Sequence, residues 1–206
     1  MAGSLAASIA GQLARPNGLA GTLIGRAMDI ANRRCNALAL DLLDPRDGER
    51  ILDVGCGTGA TLSALRRRAR CSCCGIEPSP TMLAAARRRL GEGVALTTGR
   101  IEDMPAPDAA FDAVLALNVL YFCDSDGAMV RAMRSVLAPG GRLVAYVTDR
   151  ETMRRWPFAR AGFHRLYDKQ SFAAIFERGG FASCAISVQE CAVGLGARGL
   201  LACARH

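Results

Sequence analysis

Lysine is nearly absent from this chain of 206 residues: Lys169 is its only lysine, and histidine occurs twice, at His164 and His206. The candidates for a general base are therefore few. Aromatic residues make up 5% of the chain, and Trp156 is the only tryptophan. No uninterrupted apolar run approaches the roughly 20 residues that a membrane-spanning helix requires. The stretch 1–14 is rich in small residues but has neither a basic lead nor a solid hydrophobic block. That pattern argues against a secretory signal and for an amphipathic N-terminal helix.

Hydrophobic residues form 50% of the chain and charged residues 22%, an ordinary globular balance that excludes disorder. The net charge of +7 is carried almost wholly by arginine. Its densest runs, Arg66-Arg67-Arg68 with Arg70 and Arg87-Arg88-Arg89, fall at the ends of predicted helices. Cations complement the carbonyl end of the helix dipole there, so solvated helix ends are the expectation and nucleic acid is not an expected partner. The nine cysteines are scattered through apolar stretches, as free thiols in a reducing cytosol would be. Cys71 and Cys74 form a CxxC, but on a strand residues three apart face opposite sides, and no second pair or nearby histidine completes a metal site. A cytoplasmic protein without a bound metal is expected.

From Ile51 onward, short apolar runs alternate with helical patterns, as in βαβ units around a parallel sheet. Strands are predicted at Arg50–Val54, Cys71–Ile76, Val94–Thr98, Phe111–Leu117, Arg142–Val147, Ala182–Val188 and Gly199–Ala204. Helices are predicted near Thr58–Ala69, Ser79–Leu90, Ser125–Leu137 and Gln170–Arg178. Ser79 or Thr81 can cap the second of these and Gly91 can end it. Two segments stand outside the alternation. Gly18–Leu43 reads as a helical lead-in, part of a possible cover over residues 1–47, and Asp149–Tyr167 is irregular. With no repeat and no linker, the chain reads as one domain: a lead-in, a core over 48–206, and a possible substrate cover at 149–168 that carries Trp156, Phe158, Phe163 and His164.

The strongest local signal is Ile51-Leu52-Asp53-Val54-Gly55-Cys56-Gly57-Thr58-Gly59, an apolar strand running into three alternate glycines and then a helix. Such glycines let the backbone approach a ligand closely, which implies a nucleotide-like ligand and nothing finer. Gly55, Gly57 and Ala60 also satisfy a relaxed dinucleotide fingerprint. Asp53, just before the glycines, can support the turn or pair with a ligand ammonium group. Glu77 ends the second strand at the interval where an acidic residue accepts hydrogen bonds from ribose hydroxyls.

At these residues the chain resembles the class I S-adenosylmethionine (SAM)-dependent methyltransferases, in the branch of the ubiquinone- and menaquinone-biosynthesis enzymes. The blocks LDVGCGTG, GIEPSPTML, GRIEDMPAPDAAFDAVLALNVLYF, LAPGGRLV and FERGGF match in order, covering roughly Gly48 to Phe181. The resemblance implies a Rossmann-like α/β fold: a seven-stranded, mostly parallel sheet with its last strand antiparallel, helices on both faces and a helical N-terminal lead-in. It implies SAM as cofactor, with Asp53, Gly55, Cys56, Gly57 and Gly59 lining its methionine and ribose portions and Glu77 holding the ribose. Pro78 and Met82 would border the adenine. Arg100 stands where family members often carry an acidic residue, so the adenine would be met by the Ile101 backbone and by Glu102 or Asp103. Asn118 would sit near the methionine end.

Methyl transfer from a sulfonium chiefly needs alignment, and a base only where the acceptor must lose a proton. Candidates for such a catalytic group are His164, Tyr121 and Tyr167. Asn118-Val119-Leu120-Tyr121 lacks the paired prolines of amino-group methylation on bases or glutamine, and Cys123 lacks the Pro-Cys of a cytosine methylase. A small-molecule acceptor is expected. Two other readings stay open: a nicotinamide-dependent oxidoreductase, although Lys169 is preceded four residues earlier by Arg165 and not by tyrosine, and an RNA-directed methyltransferase or nucleic-acid binder.

Overall fold

A computed structural model describes residues 27–105, 110–156, 159, 164–194 and 196–206. Residues 27–31 are helical, a turn intervenes at Asn32, and helix α1 follows at Arg33–Leu43. The alternating core then comprises β1 (Arg50–Val54), α2 (Ala60–Leu65), β2 (Ser72–Glu77), α3 (Pro80–Leu90), β3 (Ala95–Thr98), β4 (Phe111–Leu117), α4 (Ala128–Ser135) and β5 (Leu137–Thr148). It closes with α5 (Arg150–Met153), α6 (Lys169–Arg178), β6 (Ile186–Gly194) and β7 (Ala197–Arg205). These strands form one sheet of seven in the order β3-β2-β1-β4-β5-β7-β6. β1 to β5 pair in parallel, and β7 lies antiparallel between β5 and β6. The chain order reverses between β1 and β4, which opens a crevice at their carboxyl ends.

Parallel strands buried on both faces alternate their side chains between two cores. Leu52, Val114, Ala116, Leu143, Ala145 and Val147 point into one, closed by α4 and α6. Ile51, Ala113, Leu115, Val144 and Tyr146 point into the other, where Leu40 and Leu43 of α1 and Leu62 and Leu83 of α2 and α3 meet them. Cys74 packs on the first side and Cys71, one residue before β2, on the second. Ser79 caps α3, accepting the Met82 N–H at 3.3 Å, and Gly91 ends that helix at φ +63°. The end of α1 is anchored by Arg142, which forms a bidentate pair with Glu49 at 2.8 and 2.9 Å and donates to the Leu43 carbonyl at 2.7 Å.

Several elements shift from their sequence-based bounds, and three of the shifts have a visible local cause. α2 stops at Leu65, because Arg67 and Arg68 turn back to the carbonyls of Ala64 and Leu65. Pro139-Gly140-Gly141 does not separate a helix from a strand but forms an irregularity inside β5, with the Gly140 N–H bonded to the His206 carbonyl at 2.9 Å. β6 starts at Ile186, after a 3₁₀ turn at Ser183–Ala185, and runs on to Gly194 as the edge of a long hairpin. Its Gln189 and Glu190 lie beyond the predicted strand Ala182–Val188 and are compatible with a half-exposed edge strand. Of the aromatic group at 156–163, Trp156 is 36% exposed, while Phe158 and Phe163 lie outside the described residues.

Candidate functional site

The loop after β1 is built on left-handed glycines: φ is +69° at Gly55, +53° at Gly57 and +75° at Gly59. L-residues with a Cβ rarely adopt this region. Gly55 has a second constraint, since a Cβ there would lie 2.5 Å from Cγ2 of Val119. The loop is tied to the next strand through the Ile76 carbonyl, which accepts the Gly55 N–H at 2.8 Å and the Cys56 N–H at 3.2 Å.

Glu77 completes the tie. Its Oε2 accepts the Gly57 N–H at 3.0 Å and its Oε1 accepts the Ser79 N–H at 2.8 Å. Each carboxylate oxygen keeps a further lone pair. Burial raises the Glu77 carboxyl above its ordinary value, against the lowering effect of those two backbone donors. Asp53, at the end of β1 and 2% exposed, has no hydrogen-bond partner for Oδ2 among the described residues. Burial, with the neighbouring Glu77 charge second, pushes its carboxyl up to about 8. A buried carboxylate without a partner is costly, and such groups concentrate where a ligand supplies the missing donor.

The N-terminal segment forms a wall of this site. Asp29 takes the Thr58 hydroxyl at 2.7 and 2.8 Å and pairs with Arg89 at 2.6 Å, while Arg89 also donates to the Thr58 carbonyl at 3.0 Å. One carboxylate thus clips the lead-in onto the glycine loop and the end of α3. The arginine run containing Arg89 is accordingly not just a solvated helix end, and Arg68 likewise reaches Asp41 of α1 at 2.6 Å.

At the end of β4, Asn118 adopts a left-handed φ of +60°. The Tyr121 hydroxyl receives the Thr148 N–H, so its own proton goes to Asn118 Oδ1, 3.1 Å away. Tyr121 is 6% exposed, and burial pushes its phenol up to about 12. Tyr167 is 1% exposed, donates to the Leu120 carbonyl at 2.8 Å, and is likewise raised by burial. His164 packs against Phe122 and Tyr121, with ring centroids 5.2 and 5.9 Å apart, and burial holds it below its ordinary value. Across the crevice, Arg100 pairs with Glu102 Oε1 at 2.9 Å, leaving the buried Oε2 without a partner among the described residues.

These elements enclose a cavity of about 340 Å³, within the range of small-ligand sites. Asp53, Gly55, Cys56, Gly57, Glu77, Pro78, Met82, Ile101, Glu102 and Asn118 all line it. Gly59 does not; a Cβ there would meet Leu90 at 2.8 Å, so its role is packing beneath the loop. Tyr121, Tyr167 and His164 also stand outside the lining, with Tyr121 one step behind Asn118 and His164 behind Phe122. The sequence reading missed Met28, Asp29, Asn32 and Asn36, which supply the N-terminal wall, and Thr58, Val119, Phe122 and Met129. A signal for the wall existed: Asp29, Asn32 and Asn36 recur at i, i+3 and i+7, a polar stripe on one helical face.

A Rossmann-like sheet in this strand order, with an acid-flanked glycine loop at the crevice, defines a class I methyltransferase fold. The chain matches the Methyltransferase domain family over residues 52–145. It is 38% identical over 130 residues to a demethylmenaquinone methyltransferase of Tropheryma whipplei, covering 63% of this chain and 52% of the relative. A ubiquinone biosynthesis O-methyltransferase of Methylocella silvestris is 34% identical over 142 residues, covering 65% and 54%. The N-methyltransferase NodS of Bradyrhizobium japonicum, solved with S-adenosyl-L-homocysteine, superposes with a TM-score of 0.67 at 23% identity, covering 85% of this chain and 87% of that one. The chain therefore has the fold of the solved methyltransferases, and its residues 52–145 carry the match to the methyltransferase domain family. It spans about half the length of these two relatives.

Proposed function

We propose that this chain transfers a methyl group from SAM to a small-molecule acceptor by in-line displacement. The observation that carries the reading is the buried Asp53 Oδ2, without a partner among the described residues, beside the glycine loop that Glu77 holds. That donor-poor carboxylate suits the ammonium of the cofactor's methionine end, and the spare lone pairs of Glu77 suit two ribose hydroxyls. Glu102 Oε2 and the Ile101 backbone offer polar contacts for the adenine, while Pro78 and Met82 offer apolar cover. When bound, SAM supplies an electrophilic methyl on a sulfonium whose departure leaves a neutral thioether.

The chain's own contribution is placement. Asn118 stands at the carboxyl end of β4, held by Tyr121, and the lead-in lines one side of the cavity. Positioning of this kind supplies several kcal/mol of barrier lowering, of the order of 7–11 in well-oriented systems. Both tyrosine hydroxyls serve the scaffold in this reading. His164, whose neutral form burial favours, stands behind Phe122 and would act as a base only on an acceptor that reaches past that ring. Relatives named for demethylmenaquinone and for ubiquinone biosynthesis support a small acceptor. No helix among the described residues is long and apolar enough to cross a membrane.

Calorimetry with S-adenosylhomocysteine and with NADH tests the cofactor: saturable binding of the first alone is expected, and binding of NADH alone overturns the reading. Radiolabel transfer from SAM into a lysate's small-molecule fraction tests the acceptor class. Label confined to RNA would replace the small-molecule reading with the nucleic-acid one.

A further inference from the structure

A second cavity, of about 550 Å³, lies between α1 and α2 and shares Asp29, Asn36 and Ala60 with the first. Its lining brings together four arginines from three separate stretches of chain: Arg33 of α1, Arg67 and Arg68 after α2, and Arg89 of α3. Asp29 is the only acid in that lining among the described residues. The two basic runs that looked like unrelated helix ends in sequence thus converge on one concavity.

The four guanidinium groups are unequal. Arg68 and Arg89 each hold a carboxylate at 2.6 Å, Asp41 and Asp29 respectively, which fixes them in place. Arg67 donates only to the Ser63 hydroxyl, at 2.9 Å, and Arg33 has no hydrogen bond or ion pair among the described residues. Residues 1–26 contain no aspartate or glutamate, so that part of the chain has no carboxylate to offer them. Planar guanidinium forks match the oxygen geometry of phosphate and bind it bidentately.

We infer that this groove is a binding site for a phosphate-bearing small molecule, held by Arg33 and Arg67 with Arg68 and Arg89 as pre-positioned flanking charges. The remaining lining fits a small ligand better than a nucleic acid. Ala37, Leu40 and Ala64 provide an apolar strip for a compact hydrocarbon part, Ser63 and Asn36 add polar contacts, and among the described residues the lining has no aromatic side chain on which bases could stack. The groove adjoins the proposed cofactor cavity through Asp29, Asn36 and Ala60, but neither Arg33 nor Arg67 lines the latter.

Isothermal titration of the full chain with inorganic diphosphate, and in parallel with monophosphate, tests this at constant ionic strength. Saturable one-to-one binding is expected, with diphosphate tighter than monophosphate. Arg33→Gln with Arg67→Gln should weaken it by about tenfold or more, the scale of losing charge-assisted bonds, while S-adenosylhomocysteine binding stays as in the parent. Arg87→Gln with Arg88→Gln, which removes two exposed arginines outside the groove, serves as the charge control and should leave diphosphate binding unchanged. Absence of saturable binding overturns the inference. Equal loss in both double variants also overturns it, because diffuse attraction to a basic surface would then be the cause, as would binding of RNA alone with a steep salt dependence.

Discussion

The Glu77 carboxylate spans two loops: Oε2 is 3.0 Å from the Gly57 nitrogen and Oε1 is 2.8 Å from the Ser79 nitrogen, so one side chain sets the distance between the glycine turn and the start of α3. Replacing it with the isosteric Glu77→Gln leaves one accepting oxygen for two backbone donors. An orphaned buried donor costs about 1–3 kcal/mol. Urea or thermal unfolding should show a loss of that size, and calorimetry should show S-adenosylhomocysteine weakened by about tenfold or more. Unchanged affinity would remove Glu77 from the cofactor site.

Asp53 should make cofactor binding depend on pH. Its folded-state carboxyl stands near 8 against an ordinary 3.8, so between those values the unfolded chain is ionised while the unligated fold still holds the proton. The unligated protein should therefore lose stability as pH rises across that window. An ammonium beside Asp53 favours the carboxylate. Affinity for S-adenosylhomocysteine should accordingly climb from pH 6 toward pH 8, by up to about tenfold per unit, with a proton released on binding. Titrations in two buffers of different ionisation enthalpy measure that proton, and Asp53→Asn should flatten the profile.

Gly55→Ala should be severe for two separable reasons. The new Cβ meets Val119 Cγ2 at 2.5 Å, and a φ of +69° is strained for any residue with a Cβ. Overpacking and backbone strain together amount to about 2–5 kcal/mol. Adding Val119→Ala removes the clash but not the strain, so the double variant should recover part of the lost melting temperature. Full recovery would mean the backbone conformation is unimportant here.

Asp29→Asn should unclip the lead-in. The partly exposed Arg89 pair is worth about 1 kcal/mol or less, so global stability should hardly move. Local opening should move more: amide exchange across residues 27–36 should quicken, and S-adenosylhomocysteine should dissociate several-fold faster. Unaltered exchange in that segment would show that other contacts hold the wall.

Tyr121→Phe leaves the buried Thr148 N–H without its acceptor and frees Asn118 Oδ1. A stability loss of about 1–3 kcal/mol is expected. If Tyr121 acts only through this scaffold, the pH profile of methyl transfer should keep its shape while the rate falls. A lost limb in that profile would make the phenol a proton carrier.

Much of this was legible along the chain. β1 and β4 took their predicted bounds because a strand buried on both faces is a short unbroken apolar run. The glycine loop and Glu77 were legible because turn chemistry and a fixed strand–helix interval are local properties of sequence. β6 was half missed, since an edge strand exposes alternate polar residues and resembles a loop.

By itself, then, the sequence determined the parallel sheet, the glycine turn and the acid at the end of β2, all consequences of residue period and backbone sterics. Tertiary structure alone decided that Asp29 would close on Thr58 and Arg89, 29 and 60 residues away, and that Tyr121 would bind Thr148 behind Asn118. Contacts at such separations depend on how packed elements bring surfaces together, and no local periodicity encodes them.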